Sequence, residues 1–180
     1  MNIKALAKRL CRLDYEAIEA EVAGFDDAVL LVLLDSSSRK VGDTAAELLC
    51  SRGKAKVVVA ALLASEIRTK LGRIRAMSVL GHFGKRVPRG AEAYLRLIEE
   101  KSATVVYDAL FGLVFLQDEA NIPMIEAARR RSRAGPKADG YFEKALTAIH
   151  AKDPFIFSPG YRDAHDVWGL DKERFGNRVG

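Results

Sequence analysis

Long apolar runs are missing from this chain. None approaches the roughly 20 residues that a membrane-spanning helix requires, and one candidate, Ala28 to Leu34, is bracketed by Asp26, Asp27 and Asp35. A packed helix is the better reading of that stretch, and no membrane partner is expected. The opening residues MNIKALAKRLCRLDYEAIEAE carry a charge every few positions and no small-residue cleavage site, which points to a cytoplasmic protein. Cysteine is scarce: the chain has only two, Cys11 and Cys50, both within helical patterns. So few cysteines give no disulfide framework, and buried free thiols are expected.

Catalytic signatures are equally thin. No Gly-x-Ser-x-Gly, phosphate loop or dinucleotide fingerprint occurs. The acid pairs Glu99–Glu100 and Asp118–Glu119 fall at a helix end and in a turn. General acid–base chemistry needs carboxylates opposed across a pocket, so these read as solvated surface. Histidine is represented by His82, His150 and His165 alone. Asp163, His165 and Asp166 have metal-ligand chemistry, but they come from one short segment with no second cluster to complete a coordination shell. The sequence therefore offers no catalytic residue, no cofactor and no metal, and the reading is non-enzymatic.

What the chain does contain is a repeat. Residues 41–50 read VGDTAAELLC, 72–81 read GRIRAMSVLG, and 105–114 read VVYDALFGLV. Ala45, Ala76 and Ala109 hold equivalent places at intervals of 31 and 33 residues, and Leu49, Leu80 and Leu113 follow each by four. A period of this size signals helical hairpins that stack, each covering the apolar flank of its neighbour. The spacing predicts helices over about 40–51, 55–69, 73–84, 90–101 and 103–117, and another from Asn121 to about Arg133. Asn121 is the expected cap of the last, with Pro123 in its first turn. The run Val57–Val59 is compatible with a strand, but the AALLASEI that follows favours helix. Upstream, three helices are expected before a turn at SSSRK: one over Ile3–Leu13, one capped by Asp14 and ended at Gly24, and one opened by Asp26 or Asp27. The predicted organisation is one all-α domain, with capping helices at 1–38, repeats at 39–135, and a helix plus aromatic tail at 136–180.

Residues 41–133 resemble HEAT-type repeats, specifically the short variety found in phycobilisome-lyase-like proteins. The likeness rests on VGDTAAELL, IRAMSVLGHFG and DEANIPMIEAARR. The arginine usual after the first valine of the motif is Gly42 in the first copy, and the third copy lacks the terminal Leu-Gly. The resemblance implies a right-handed α-solenoid, an armadillo-like superhelix. That fold serves adaptors, chaperones, lyases and nucleic-acid binders alike, so it does not specify an activity.

Charge is unevenly distributed. Residues 1–38 carry 4 basic and 7 acidic side chains, residues 39–89 carry 12 and 3, and residues 90–180 carry 13 and 14. The basic excess thus belongs to the middle repeats and suits an acidic partner. In a hairpin array Arg52, Lys54 and Lys56 would stack with Lys85, Arg86 and Arg89 along one edge. Arg39, Lys40, Arg68, Lys70, Arg73 and Arg75 would line the other, extended by Arg129, Arg130, Arg131 and Arg133. A blander explanation competes: cations near a helix C-terminus complement its dipole, and Arg68, Lys70 and the arginine run are predicted there. The aromatic tail, with Phe155, Phe157, Tyr161, Trp168 and Phe175, reads either as a cap on the last hairpin or as a docking segment.

The favoured function is a non-enzymatic scaffold or adaptor that grips a protein partner on its concave face; an immunity or inhibitor protein would fit this size. Candidate partner-binding residues are Arg68, Lys70, Arg73, Arg75, Arg96, Arg129, Arg130, Arg133, Tyr161 and Trp168. The alternative is nucleic-acid binding, with the basic edge contacting phosphates. A cofactor-handling role like that of bilin lyases ranks last, because the sequence supplies no residue set for it.

Overall fold

The computed structural model describes residues 3–159, and among these every regular element is helical. Contacts group the chain into two compact units that divide between His82 and Phe83.

Unit 1 opens with α1 (Ile3–Leu10), α2 (Tyr15–Val22) and α3 (Asp27–Leu34). Asp14 and Asp26 begin α2 and α3 as the sequence predicts: each carboxylate accepts a backbone N–H one turn on, from Ala17 and Val29, at 2.9 Å. The first repeat helix is α4 (Arg39–Ser51), followed by α5 (Ala55–Leu63) and α6 (Lys70–Phe83), whose last residue belongs to unit 2. Val57–Val59 lie within α5, so the β-branched run is helical. In unit 2 stand α7 (Gly90–Leu97), α8 (Ala103–Leu116), α9 (Ile122–Arg131) and α10 (Pro136–His150).

The repeat has a physical counterpart. Ala45, Ala76 and Ala109 are each wholly buried, and Leu49, Leu80 and Leu113 are no more than 1% exposed. α10 adds Ala145 and Ile149, also four apart and wholly buried. Pairing departs from the expected hairpins, however. The most extensive partners of α4 are α3 and α2, the helices before it, and α8 packs on both α7 and α10. Small residues make these approaches possible. A Cβ on Gly112 would overlap the Tyr94 ring of α7, and one on Gly42 would overlap the Arg75 guanidinium.

Two predicted boundaries shift for local reasons. α5 stops at Leu63 rather than near Thr69 because Ser65 takes a left-handed φ of 60°, while the Glu66 N–H reaches back to the Ala61 carbonyl at 2.9 Å. This is a Schellman ending. The same closure ends α4, where Gly53 is left-handed and Lys54 bonds Leu49, and α10, where Lys152 is left-handed and Asp153 bonds Ala148. Asn121 does not cap α9 with its side chain. A 3-10 turn over Glu119–Asn121 precedes the helix; Asp118 caps that turn through the Ala120 N–H at 3.0 Å, and Asn121 is buried.

Candidate partner-binding surface

Two turns of unit 1 are locked together by one carboxylate and one guanidinium. Asp35, just after α3, accepts the backbone N–H groups of Arg68 at 2.8 Å and Thr69 at 3.0 Å, and the Thr69 hydroxyl at 2.9 Å. Thr69 in turn accepts the Gly72 N–H at 2.9 Å, which opens α6. One turn along α6, Arg75 is 6% exposed. Its Nε bonds Asp43 at 2.9 Å, while its terminal nitrogens donate to the carbonyls of Leu34 at 2.8 Å, Ser36 at 2.7 Å, Ser38 at 3.2 Å and Arg39 at 3.4 Å. The planar guanidinium fork carries enough donors to tie off the last carbonyl of α3 and the turn into α4 with a single side chain. Gly42 leaves room for it.

This clamp sorts the cations that the sequence grouped on one edge. Arg75 is not an exposed contact residue; it is occupied by the protein's own backbone. The segments bearing Arg39, Lys40, Arg68 and Lys70 are brought side by side, and all four residues are exposed. The Arg39 side chain, 90% exposed, reaches Asp43 at 3.4 Å. Lys40 holds its Nζ 5.6 Å from the Tyr15 ring centroid. Arg73 is half-buried and donates to the Ile67 carbonyl at 3.3 Å.

The dipole explanation for Arg68 and Lys70 is corrected by the helix boundaries. α5 ends at Leu63 and α6 begins at Lys70. Both residues therefore stand at the N-terminus of α6, as Arg39 and Lys40 stand in the first turn of α4. Positive charge there opposes the helix dipole, by about 0.3–1 kcal/mol per exposed cation at low salt. In unit 2 the explanation holds: Arg129 and Arg130 lie in the last turn of α9, with Arg131 at its end. Arg129 pairs with Glu143 of α10 and Arg131 with Glu99, while Arg130 and Arg133 are exposed. Arg96 is exposed on α7.

The other predicted edge is paired with carboxylates only in part, at Arg52, Lys54 and Arg89. Arg52 donates to the carbonyls of Phe25 at 2.7 Å and Ala23 at 2.6 Å, and together with Lys54 it faces Asp27. Arg86 donates to the Phe83 carbonyl at 3.3 Å. Arg89 pairs with Glu92 through two bonds of 2.7 Å, which hold the Glu92 carboxyl below its ordinary range. The former residues belong to unit 1 and the latter to unit 2.

Unit 2 carries an aromatic cluster. Tyr107 of α8 meets Tyr141 of α10 edge-on at 5.0 Å and stacks on Phe157 at 5.1 Å. Phe111 and Phe115 lie 4.5 Å apart on the same helix, with Phe155 edge-on to Phe115 at 6.3 Å. The stretch after α10 is thus folded onto α8 as far as Phe157, which is buried, and the cap reading holds there. Tyr161, Trp168, Phe175 and the Asp163–His165–Asp166 group lie outside the described residues.

Of the two thiols, Cys11 is exposed rather than buried, because it falls just past the end of α1, where the chain turns towards solvent. Cys50 is partly buried, and burial, with Glu47 adding to it, pushes its thiol up to about 11. No group of three or more His, Cys, Asp or Glu side chains that could hold a metal ion occurs among the described residues. His82 and His150 are both exposed.

The residues that sequence reasoning missed are Asp35, Asp43 and Gly42, whose partners lie about 30 or more positions away. The only sequence signal was Gly42 standing where the repeat motif usually has arginine. Compared with protein-family models, with curated proteins and with solved structures, the chain matches none.

Proposed function

We propose that this chain is a non-enzymatic helical-repeat scaffold, a short right-handed α-solenoid of the HEAT or armadillo kind, that binds a protein partner on its concave face. The observation that carries this reading is the burial of the motif alanine and leucine in all three repeat helices. Equivalent burial at a fixed period is what stacked hairpins require, and stacks of this type recognise partners with extended surfaces rather than with a single pocket. The cations held outward on the two locked turns of unit 1 supply recognition chemistry.

The test is affinity capture from the native host, followed by reconstitution from purified components. A polypeptide that co-elutes with the chain at fixed stoichiometry is the expected result; failure to reconstitute any complex rejects the proposal. A second reading, nucleic-acid binding, draws on Arg68 and Lys70 of unit 1, both exposed. Titration with duplex DNA and RNA at two salt concentrations decides it: affinity must fall steeply with salt, and no binding at low salt excludes it.

A further inference from the structure

The two locked turns of unit 1 present a charge that is not balanced within them. Segments 35–43 and 66–75 contain six cations and three carboxylates. Two of the carboxylates are occupied: Asp35 by the backbone and hydroxyl groups it caps, and Asp43 by Arg75 and Arg39. Arg75 is buried and Arg73 half-buried, so Arg39, Lys40, Arg68 and Lys70 reach solvent, with Glu66 the one exposed acid among them. The helix dipole does not account for this placement, since all four stand where it opposes a cation. Their backbones are fixed by the clamp, so a partner would not have to order the turns that carry them.

Apolar surface lies in the same place. Leu71, 46% exposed, follows Lys70 in the first turn of α6, and Tyr15, 49% exposed, lies beside Lys40. A surface evolved only for phosphates has use for cations and N–H donors but none for an exposed leucine. Cations on turns that also expose an apolar side chain match instead a polypeptide in which carboxylates alternate with apolar side chains.

We infer that this face of unit 1 docks an acidic segment of a partner protein, its carboxylates on Arg39, Arg68 and Lys70 and an apolar side chain on Leu71. The inference rests on the scaffold reading and names the chemistry of the partner.

The test uses the full chain and three probes: a labelled peptide of repeating Glu-Glu-Leu, the same length of Glu-Glu-Ser, and duplex DNA. The leucine-containing peptide should bind most tightly and weaken with salt. The double variant R68E/K70E should lose roughly tenfold or more of that affinity. Leu71→Ser should lose about threefold for the leucine peptide while leaving the serine peptide and DNA unchanged. All three positions are exposed, so a urea midpoint no lower than the parent's verifies the fold; R68E/K70E should raise it slightly, since acids suit the N-terminus of α6. No binding of the leucine peptide overturns the inference. So does equal binding of both peptides, or DNA binding that exceeds peptide binding and falls equally in R68E/K70E, which would mark a phosphate surface. If a partner captured from the host binds R68E/K70E as well as it binds the parent chain, this docking face is wrong and the scaffold reading survives. If no partner is recovered yet the peptides behave as stated, the face stands and the scaffold reading fails.

Discussion

In unit 1, α3, α4 and α6 are joined by a guanidinium, two carboxylates and a series of backbone carbonyls; in unit 2, α7, α8 and α10 meet through a glycine against a tyrosine ring and through stacked aromatics. Both bury the same repeat alanine and leucine. Burial of these positions therefore sets where a helix sits, while the link to its neighbours can be made by either chemistry. The choice has consequences. Directional hydrogen bonds fix the turns of unit 1 and leave its remaining cations facing outward. Aromatic packing in unit 2 is less strictly directional, and it gathers the chain beyond α10 onto α8.

The contrast is most severely tested at Arg75. Arg75→Leu leaves Asp43 to Arg39 alone and takes the guanidinium donor from the Leu34 and Ser36 carbonyls, and should lower unfolding free energy by about 3 kcal/mol, read from urea midpoints. Arg75→Lys keeps the charge but not the fork, and should recover less than half of the loss. A cost below about 1 kcal/mol for the leucine variant would mean that the clamp does not hold unit 1. For unit 2, Phe157→Ala should cost about 2–3 kcal/mol, and protease cleavage after α10 should accelerate in parallel. Gly112→Ala should cost about 2 kcal/mol, since overlap with the Tyr94 ring outweighs the gain in helix propensity. Glycine-to-alanine changes within helices ordinarily stabilise, so a rise in Tm would refute the close approach.

The smallest effect concerns alkali. The Cys50 thiol stays protonated in the folded state up to about 11, above its ordinary 9.0. The unfolded chain releases that proton first, so its contribution is complete below pH 9.0 and is lost as pH rises towards about 11. Burial raises the Tyr94 hydroxyl in unit 2 as well. Cys50→Ala should flatten the decline between those pH values, measured by chemical denaturation across the range. An unchanged slope would mean that the thiol is not responsible.

Much of the fold is legible in the sequence because its signals are local. Asp14 and Asp26 announce their helices, and the alanine–leucine pair at four-residue spacing marks the motif helices. The Val57–Val59 ambiguity resolves as the following alanines and leucines indicate. The surface is less legible, because the groups that sort its cations are distant in sequence. Arg75 reads as one of six similar residues until Asp43 and the α3–α4 turn are placed around it. Arg68 and Lys70 fall at the opposite helix end from the one their sequence suggests, because nothing in LLASEIRTK shows that Ser65 adopts a left-handed backbone. Asp35 likewise reads as a helix bracket until the second turn arrives beside it.

That left-handed backbone has a further consequence. Gly53, Ser65 and Lys152 occupy the same place in three helix endings, yet only the first is the residue type that adopts such a φ without steric cost. Ser65 and Lys152 each carry about 1 kcal/mol of avoidable conformational strain. One lies in each unit and neither is among the cations of the locked turns, so exchanging both for glycine offers an additive route to a hardier protein, less what Lys152 gives up at its exposed ion pair with Glu119.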